Sequence, residues 1–259
     1  MNLQLENKTA LVTGSTKGIG FAIARHLAVE GANVIVNGRS AASAQAAAAQ
    51  IGPRVRGIAA DVSSAAGCAE LVRQLPDVDI IVNNAGIFEP KPFTAIPDAD
   101  WDRFYQVNVM SGVRLTRAYL PGMLQRNWGR VVFISSESGI QIPEEMIHYG
   151  MTKAAELALV NGIAQLTKAT GVTVNAVLPG PTASEGVTDF VNQLAANAQQ
   201  TSGEFEREFF RSVRPTSLLQ RFATVDEVAG LVTFICSPLA SATNGAAMRV
   251  DGGVVRGTV

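Results

Sequence analysis

The stretch TALVTGSTKGIG at residues 9–20 decides the fold of this 259-residue chain. Residues 9–12 have the pattern of a short buried strand, and apolar side chains recur at helical spacing over residues 19–27, before Gly31. Glycines let a backbone approach a pyrophosphate, and a helix N-terminus offers free N–H groups and the positive end of a dipole. Although a tight turn alone would also use these glycines, the order of strand, glycine turn and helix predicts a dinucleotide-binding unit. The spacing Gly-x-x-x-Gly-x-Gly departs from the commoner Gly-x-Gly-x-x-Gly.

Further apolar runs of strand length follow along the chain and alternate with stretches of helical pattern. They are VIVNG at 34–38, VRGIAAD at 55–61, VDIIVNN at 78–84, RVVFISS at 130–136 and VTVNAVLPG at 172–180. Such alternation is typical of a parallel sheet with helices on both faces. The alanine-rich residues 41–51 predict a crossover helix, and Thr224 with Glu227 predicts the capping box of a later helix. We therefore expect an α/β fold in which residues 1–259 form a single doubly wound Rossmann-type domain with about seven strands.

Composition supports one large domain and narrows the classes of partner. Hydrophobic residues make up 47% of the chain, which is enough for one substantial core. The formal net charge is −1 and no apolar stretch approaches the ~18 residues of a membrane span, so we expect no nucleic-acid and no membrane partner. A small-molecule partner and a cytoplasmic location are the resulting expectations. Cys68 and Cys236 lack metal-ligand spacing, so we expect buried thiols and no catalytic metal.

The run HYGMTKAAELAL contains a tyrosine and a lysine whose spacing suits proton transfer. Tyr149 and Lys153 stand four residues apart, so on a helix the phenol and the ammonium share one face. A nearby cation lowers the pKa of a phenol from about 10 toward neutral pH, where proton transfer becomes easier. Both residue types are common on helix surfaces, so the spacing alone is a weak signal. Ser136, at the end of an upstream strand-like run, strengthens it.

The segment NNAG at residues 83–86 completes a set of motifs that appear in a fixed order along the chain. With it, the chain resembles the short-chain dehydrogenase/reductase family over essentially its whole length, and the late segment VDGG at 250–253 agrees. The resemblance implies an active site formed by four residues, which are Asn108, Ser136, Tyr149 and Lys153. It also implies a set of cofactor-binding residues, which are Gly14, Ser15, Thr16, Lys17, Gly18, Ile19, Gly20, Arg39, Asp61, Val62, Asn83, Ala85, Gly86, Tyr149, Lys153, Pro179, Gly180 and Thr182.

The roles of these residues follow from the resemblance. While a carbonyl carbon accepts hydride from the nicotinamide, Tyr149 would give its proton to the developing alkoxide and Ser136 would hold the carbonyl oxygen. Lys153 would lower the pKa of Tyr149 and bond to the nicotinamide ribose. Asn108 would steady a water between Lys153 and solvent, or would only kink its helix. Asp61 would border the adenine, although it could equally be the N-cap of the following helix.

The choice between the two nicotinamide cofactors is predicted from an absent carboxylate. Sites that prefer NAD place an Asp or Glu about 20 residues beyond the glycine turn, where it binds the ribose 2′-hydroxyl. This chain has no carboxylate between Glu30 and Asp61, and Arg39 follows the second strand-like run. Either Arg39 or Lys17 alone could be a solvated surface charge, but together they suit a 2′-phosphate. The predicted cofactor is therefore NADP(H).

Residues 184–215 predict a lid that covers the substrate. Phenylalanines stand there among charged residues, as in short amphipathic helices that close over an apolar cavity, although a packing excursion without specificity is the alternative. Because that cavity would be apolar, the substrate, a carbonyl compound or an alcohol, is expected to be apolar. Glu144 and Glu145 are expected in solvent, and His148 in the substrate pocket or at the surface. The lid phenylalanines are Phe190, Phe205, Phe209 and Phe210, and further apolar walls are expected from Phe88, Ile140, Ile142 and Met146.

These features favour an NADPH-dependent reductase of ketones or aldehydes, reversible toward the alcohol. A 3-oxoacyl-(acyl-carrier-protein) reductase would share every motif, but such enzymes tend to carry basic residues at the positions of Asn127 and Thr170 for docking the acidic carrier. Arg126 and Arg130 lie close by and keep this alternative open. A non-catalytic cofactor sensor is a third alternative, but such relatives typically lose the tyrosine or the lysine. The resemblance also implies a homo-oligomer, a tetramer.

Overall fold

Parallel strands form one large sheet in the computed structural model, which describes residues 2–185 and 201–258. Its strands are β1 (Thr9–Val12), β2 (Asn33–Gly38), β3 (Val55–Ala59), β4 (Ile80–Asn83), β5 (Gly129–Ile134), β6 (Val172–Pro179) and β9 (Ala247–Val250). The spatial order is β3-β2-β1-β4-β5-β6-β9, and every neighbouring pair is parallel. The chain reverses its direction of progress between β1 and β4, which is where open α/β sheets bind ligands. Two short strands, β7 (Thr182–Ala183) and β8 (Ala223–Thr224), pair separately.

Helices cover both faces of the sheet. They are α1 (Gly18–Val29), α2 (Ala41–Ile51), α3 (Ala65–Gln74), α4 (Asp98–Phe104), α5 (Ser111–Gln125), α6 (Ile147–Gln165), α7 (Ser202–Ser212) and α8 (Val225–Cys236). One core cluster joins the sheet to α1 and α8, and a second joins it to α3, α5 and α6. The predicted doubly wound α/β fold is confirmed. None of the helices in the described ranges has the length and the apolar character needed to cross a membrane.

Most predicted elements lie where the sequence placed them. Helix α1 ends at Val29, and Gly31 follows with a φ of +90°, as the glycine signal predicted. The capping box predicted at Thr224 and Glu227 is present at the start of α8. The alanine-rich α2 packs tightly on β3, because a Cβ at Gly57 would lie 2.5 Å from the carbonyl of Ala44. Small residues on both elements therefore permit the close approach.

One strand of the large sheet did not show in the apolar runs. Strand β9 pairs with β6 at the edge of the sheet, and its residues alternate between exposed and partly buried. An edge strand with one solvated face lacks the continuous apolar run of a central strand. The sequence pattern therefore marked the buried strands and missed this one.

Candidate active site

The glycine turn between β1 and α1 forms a cradle of bare backbone. Gly14 and Gly18 have φ angles of +59° and +60°, which L side chains rarely adopt. A Cβ at Gly20 would lie 2.4 Å from Asn84 Nδ2 and 2.7 Å from Gly14 O. No side chain caps the start of α1 at Lys17. An unobstructed helix N-terminus behind a glycine turn fits the pyrophosphate of a dinucleotide.

The NNAG segment after β4 braces this turn. The Thr13 hydroxyl oxygen accepts hydrogen bonds of 3.0 Å from the backbone N–H groups of Asn84 and Ala85. Asn84 Nδ2 in turn donates to the carbonyls of Thr13 and Gly14, at 2.9 and 3.1 Å. Asn83 is buried and donates to Thr116 Oγ1. The segment therefore fixes the turn against the end of the neighbouring strand.

Two cations and no carboxylate stand in the glycine turn and after β2. Arg39 and Lys17 are both exposed, and neither forms an ion pair within residues 2–185 and 201–258. Asn37 is buried, and its Nδ2 donates to the carbonyls of Ile58 and Ala60, so its side chain ties β2 to β3. The two cations expected to face a 2′-phosphate are therefore free to bind one.

Asp61 is exposed at the end of β3, and the structure excludes one of its two predicted roles. Its Oδ1 accepts from Ser63 N, whereas the N-cap of α3 is Ser64, which accepts from Gly67 N at 3.0 Å. The N-cap alternative for Asp61 is therefore wrong, because the cap lies three residues later. Val62 beside it is buried. Both residues lie at the carboxyl edge of the sheet, where the adenine end of a dinucleotide was expected.

The late Pro179-Gly180 segment lies against both the C-terminal strand and the glycine turn. A Cβ at Gly180 would be 2.5 Å from Asp251 O, so only glycine permits this approach. Thr182 is buried, and its hydroxyl donates to Gly180 O at 2.9 Å. A Cβ at Gly18 would lie 3.3 Å from Ser184 Cβ. The segment after β6 therefore reaches the cradle for the cofactor, as the resemblance implied.

Three of the four expected catalytic residues meet at the carboxyl ends of β4 and β5. Tyr149 and Lys153 lie one turn apart on α6, with Lys153 Nζ 5.7 Å from the centre of the Tyr149 ring. Ser136 follows β5 and lies beside the phenol. A Cβ at Gly86 would lie 3.6 Å from Lys153 Nζ, which brings the ammonium to the end of β4. The three residues that the sequence pattern singled out therefore lie together in one site.

Asn108, the fourth expected residue, lies in a π-helical turn over Tyr105–Met110, between α4 and α5. Its Oδ1 accepts from Ile87 N at 2.8 Å, and its Nδ2 donates to Ile87 O and to Thr152 Oγ1, both at 3.0 Å. The carboxamide therefore ties the segment after β4 to α6. π-Helical turns are frequent at functional sites. The helix is therefore irregular at Asn108, which is close to the kink that the sequence analysis gave as an alternative.

The environment of Tyr149 differs from the sequence expectation. Burial raises the pKa of Tyr149 above its ordinary value, the carboxylates of Glu137 and Glu156 raise it further, and Ser136 and Arg214 lower it. The Lys153 ammonium donates to a buried carboxylate, Glu156 Oε1, at 3.1 Å and to the backbone carbonyl of Ile134 at 2.8 Å.

A charged network that the sequence did not reveal joins Ser136 to Arg214, which lies in the segment expected to form the lid. The Ser136 hydroxyl donates to Glu137 Oε2, and Glu137 is buried. Arg214 follows α7, and its Nε and Nη1 lie 3.4 Å from Glu137 Oε1 and 3.0 Å from Glu145 Oε1. Glu145, expected in solvent, is therefore paired. No pattern in the sequence marked this network, since Arg214 is 77 residues from Glu137 and 69 residues from Glu145 and the serine motif explained Ser136 without them.

Comparison with known proteins agrees with this geometry. The sequence profile of the family described as short chain dehydrogenase matches residues 8–195. This chain belongs to the short-chain dehydrogenases. It is 49% identical to the uncharacterized oxidoreductase YvaG of Bacillus subtilis, over 99% of both chains. It is also 34% identical to the 3-oxoacyl-(acyl-carrier-protein) reductase FabG of Aquifex aeolicus, over 98% of this chain and 100% of that protein.

Among solved structures, one similar short-chain dehydrogenase is the L-sorbose reductase of Gluconobacter frateurii, determined with NADPH and L-sorbose. It superposes with a TM-score of 0.93 at 29% identity and covers 99% of this chain and 100% of its own. The family assignment makes this chain an oxidoreductase that acts on CH–OH or C=O groups with a nicotinamide cofactor. The cradle described above is the place on this chain that fits such a cofactor.

The lid of this short-chain dehydrogenase differs in part from the expectation. Phe209, Phe210 and Phe222 pack on one another with ring centroids 5.1 to 5.2 Å apart, and Phe210 is buried. These ring contacts stabilise the lid helix α7, because the three aromatic side chains bury apolar surface against one another. Residues 186–200 of the expected lid, which include Phe190, lie outside the described residues.

Two other apolar side chains lie near Tyr149 or its neighbour in the helix. Phe88 is 49% exposed and lies edge-on to the Tyr149 ring, with centroids 6.4 Å apart. Ile142 is 48% exposed and packs over Gly150. His148 is fully buried against the Phe104 ring, 4.1 Å between centroids, so neither predicted role for it is correct. An imidazole there points away from the phenol because adjacent helical residues diverge by about 100°.

We expect Arg214→Met to lower the free energy of unfolding by about 3 kcal/mol, because it leaves the buried Glu137 carboxylate without its counterion. Urea denaturation measures the change. Arg211→Met is the matched control: Arg211 pairs with Glu208 on the surface of the adjoining helix α7 and its side chain is 77% exposed, so the loss should stay within about 0.5 kcal/mol. The double variant Arg214→Met/Glu137→Gln should recover most of the loss. Equal effects of the two single arginine variants would contradict a structural role for this network.

Proposed function

We propose that this chain is an NADPH-dependent reductase of ketones and aldehydes, reversible toward the alcohol. The observation that carries the proposal is the convergence of Ser136, Tyr149 and Lys153 beside a glycine cradle at the switch point of the sheet. All three reactive side chains are retained, which speaks against a non-catalytic sensor.

The proposed reaction assigns one task to each residue. The nicotinamide cofactor, when bound, supplies hydride to the carbonyl carbon. Tyr149 donates its proton to the oxygen as the general acid. Ser136 turns from Glu137 to hold the carbonyl oxygen. Lys153 would bind the nicotinamide ribose and so fix the cofactor relative to the phenol.

The preference for NADP(H) rests on charge at the end of β2. Arg39 is exposed there and Lys17 is exposed in the glycine turn, and a guanidinium can form paired hydrogen bonds with a phosphate. The nearest downstream carboxylate, Asp61, belongs to the following strand connection. The structural relative from Gluconobacter frateurii, determined with NADPH, supports the same preference.

The substrate is proposed to be a free carbonyl compound with an apolar portion. Phe88, Ile140 and Ile142 are exposed apolar side chains from the two segments that flank Tyr149. A carrier-bound substrate would need basic docking residues, but Arg130 is 1% exposed and donates to backbone carbonyls. Arg126 is paired with Asp77 at 2.7 Å. The residues that kept the carrier alternative open are therefore engaged elsewhere.

We further propose a cytoplasmic homotetramer. Exposed Tyr105 and the neighbouring Val109 line an apolar groove with residues of α6, and a second copy could cover it. The remaining lining residues are Ala155, Ala158, Leu159, Gly162 and Ile163. Light scattering of the purified protein measures the assembly directly, and a monomeric mass would remove this part of the proposal.

Oxidation of NADPH across a panel of free ketones and aldehydes tests the proposed function. We expect kcat/KM to rise several-fold per added methylene along an alkyl ketone series until the site is filled, because each buried methylene contributes about 0.8 kcal/mol. A parallel assay uses 3-oxoacyl chains on acyl-carrier protein at matched NADPH. If the carrier-bound substrates were better by tenfold or more, the 3-oxoacyl reductase would replace the proposed function.

A further inference from the structure

Glu137 is a buried carboxylate beside the serine of the site, and the proposed reaction gives it no task. It follows Ser136 at the start of a short turn after β5 and is 5% exposed, as is Ser136 itself. Its Oε2 accepts a hydrogen bond from the Ser136 hydroxyl and a second one, at 2.8 Å, from Ser138 N. Its Oε1 lies 3.4 Å from Arg214 Nε. The carboxylate is therefore held by the arginine at one oxygen and by the serine and the backbone at the other.

The Ser136 hydroxyl has a single proton, which it can donate to one acceptor at a time. In the structure that proton is donated to Glu137, whereas the proposed reaction requires it at the carbonyl oxygen of the substrate. When the serine turns to the substrate, Glu137 Oε2 keeps its bond from Ser138 N but loses the hydroxyl donor. A buried acceptor that loses its donor is destabilised, and a charged one more than a neutral one. The site therefore favours a substrate that brings a donor of its own.

The position on Glu137 Oε2 that the serine leaves is next to the place of the substrate carbonyl. Because Ser136 Oγ and Glu137 Oε2 are hydrogen-bonded to each other, two oxygen atoms that bind one each must also lie close together. Oxygen atoms on neighbouring carbons meet this requirement. A hydroxyl on the carbon beside the carbonyl can donate to Glu137 while the carbonyl oxygen accepts from Ser136. Tyr149, beside the serine, can then donate to the same carbonyl oxygen.

We propose that Glu137 makes this chain selective for α-hydroxy ketones, which carry a hydroxyl on the carbon beside the carbonyl, and for vicinal diols in the reverse direction. This inference rests on the proposed function, because it names the substrate class of the same site. Glu137 is then a specificity-determining residue that binds the substrate hydroxyl. Arg214 holds Glu137 Oε1, so Oε2 stays directed at Ser136. The rest of the substrate can still be apolar, as proposed above.

Three butyl ketones test the inference on the wild-type protein: the hydroxymethyl, the fluoromethyl and the ethyl ketone. Fluorine and methyl are close to the hydroxyl in size, and fluorine also withdraws electrons at least as strongly, but neither donates a hydrogen bond. With NADPH, we expect kcat/KM for the hydroxymethyl ketone to exceed that for the ethyl ketone by about tenfold or more, the effect of one hydrogen bond to a charged group. It should also exceed kcat/KM for the fluoromethyl ketone, and we call this second ratio the hydroxyl preference.

Glu137→Gln keeps the size of the side chain and removes its charge. We expect the hydroxyl preference to fall about fivefold or more, because a hydrogen bond to a neutral acceptor contributes less than one to a carboxylate. Glu145→Gln is the matched control. Glu145 also pairs with Arg214, at 3.0 Å, but its side chain is 37% exposed, and among the described residues its carboxylate makes no hydrogen bond to Ser136. The control should keep the wild-type hydroxyl preference.

A fluoromethyl ketone reduced as well as the hydroxymethyl ketone by the wild-type protein would overturn the inference and leave the reductase in place. That comparison needs no variant, so it decides the matter even if Glu137→Gln does not fold. A folded Glu137→Gln with the wild-type hydroxyl preference would also overturn it, because another group would then recognise the hydroxyl. If none of the three ketones were reduced, the proposed function would fail and the inference with it.

Discussion

Tyr149→Phe should lose nearly all carbonyl reduction while it retains NADPH binding. The substitution removes the proton donor and little else, because the ring that contacts Phe88 remains. General acid catalysis contributes about 10²- to 10⁴-fold, so we expect kcat to fall by that order. Steady-state NADPH oxidation measures the loss, and quenching of protein fluorescence by NADPH measures the retained binding.

The control for this substitution is Tyr105→Phe, the same chemical change on a tyrosine that is 42% exposed in the π-helical turn. It should reduce carbonyl compounds at close to the wild-type rate, since its hydroxyl makes no hydrogen bond to the described residues of the site. Turnover by Tyr149→Phe within a few-fold of that control would rule out Tyr149 as the acid.

Arg39→Asp should reverse the cofactor preference from NADPH toward NADH. The wild-type guanidinium is exposed after β2, and the replacement carboxylate would repel a 2′-phosphate and accept a 2′-hydroxyl instead. A charge-assisted contact contributes about 1.5 to 3 kcal/mol, which corresponds to roughly ten- to a hundredfold in kcat/KM for NADPH. Repulsion by the new charge adds to this loss. The ratio of kcat/KM for the two cofactors, with one fixed carbonyl substrate, is the measurement.

Arg73→Asp is the matched control for the cofactor prediction. Arg73 lies in the last turn of α3, on the way to the amino end of β4 and away from the cradle at the carboxyl ends of the strands. Its side chain is 72% exposed. The same change of charge there should leave the cofactor ratio unaltered. If Arg39→Asp kept the wild-type ratio as well, the guanidinium would have no contact with the phosphate and the preference for NADP(H) would have to rest on Lys17 alone.

Much of the candidate site could be predicted because its motifs are local in sequence. Tyr149 and Lys153 share a helix face by spacing alone, and the glycine turn carries its own backbone requirement at Gly14 and Gly18. Ser136 was assigned by its spacing from Tyr149 and by the resemblance to the family. The electrostatic balance was not predictable in this way. The pKa of Tyr149 is raised by burial, and it also depends on charges that reach it from three separate elements, namely Glu156 on α6, Glu137 after β5 and Arg214 after α7.

The sequence by itself determined the parallel sheet, the crossover helices and the glycine cradle, because continuous apolar runs, helical spacing and turn residues act over a few neighbouring positions. Only the tertiary structure decided that β9 joins the edge of the sheet and that Arg214 reaches Glu137. It also decided that the lid phenylalanines pack on one another and that Glu156 holds the lysine. These contacts depend on burial and on distances between segments far apart in the chain, and no short pattern of residues encodes either quantity.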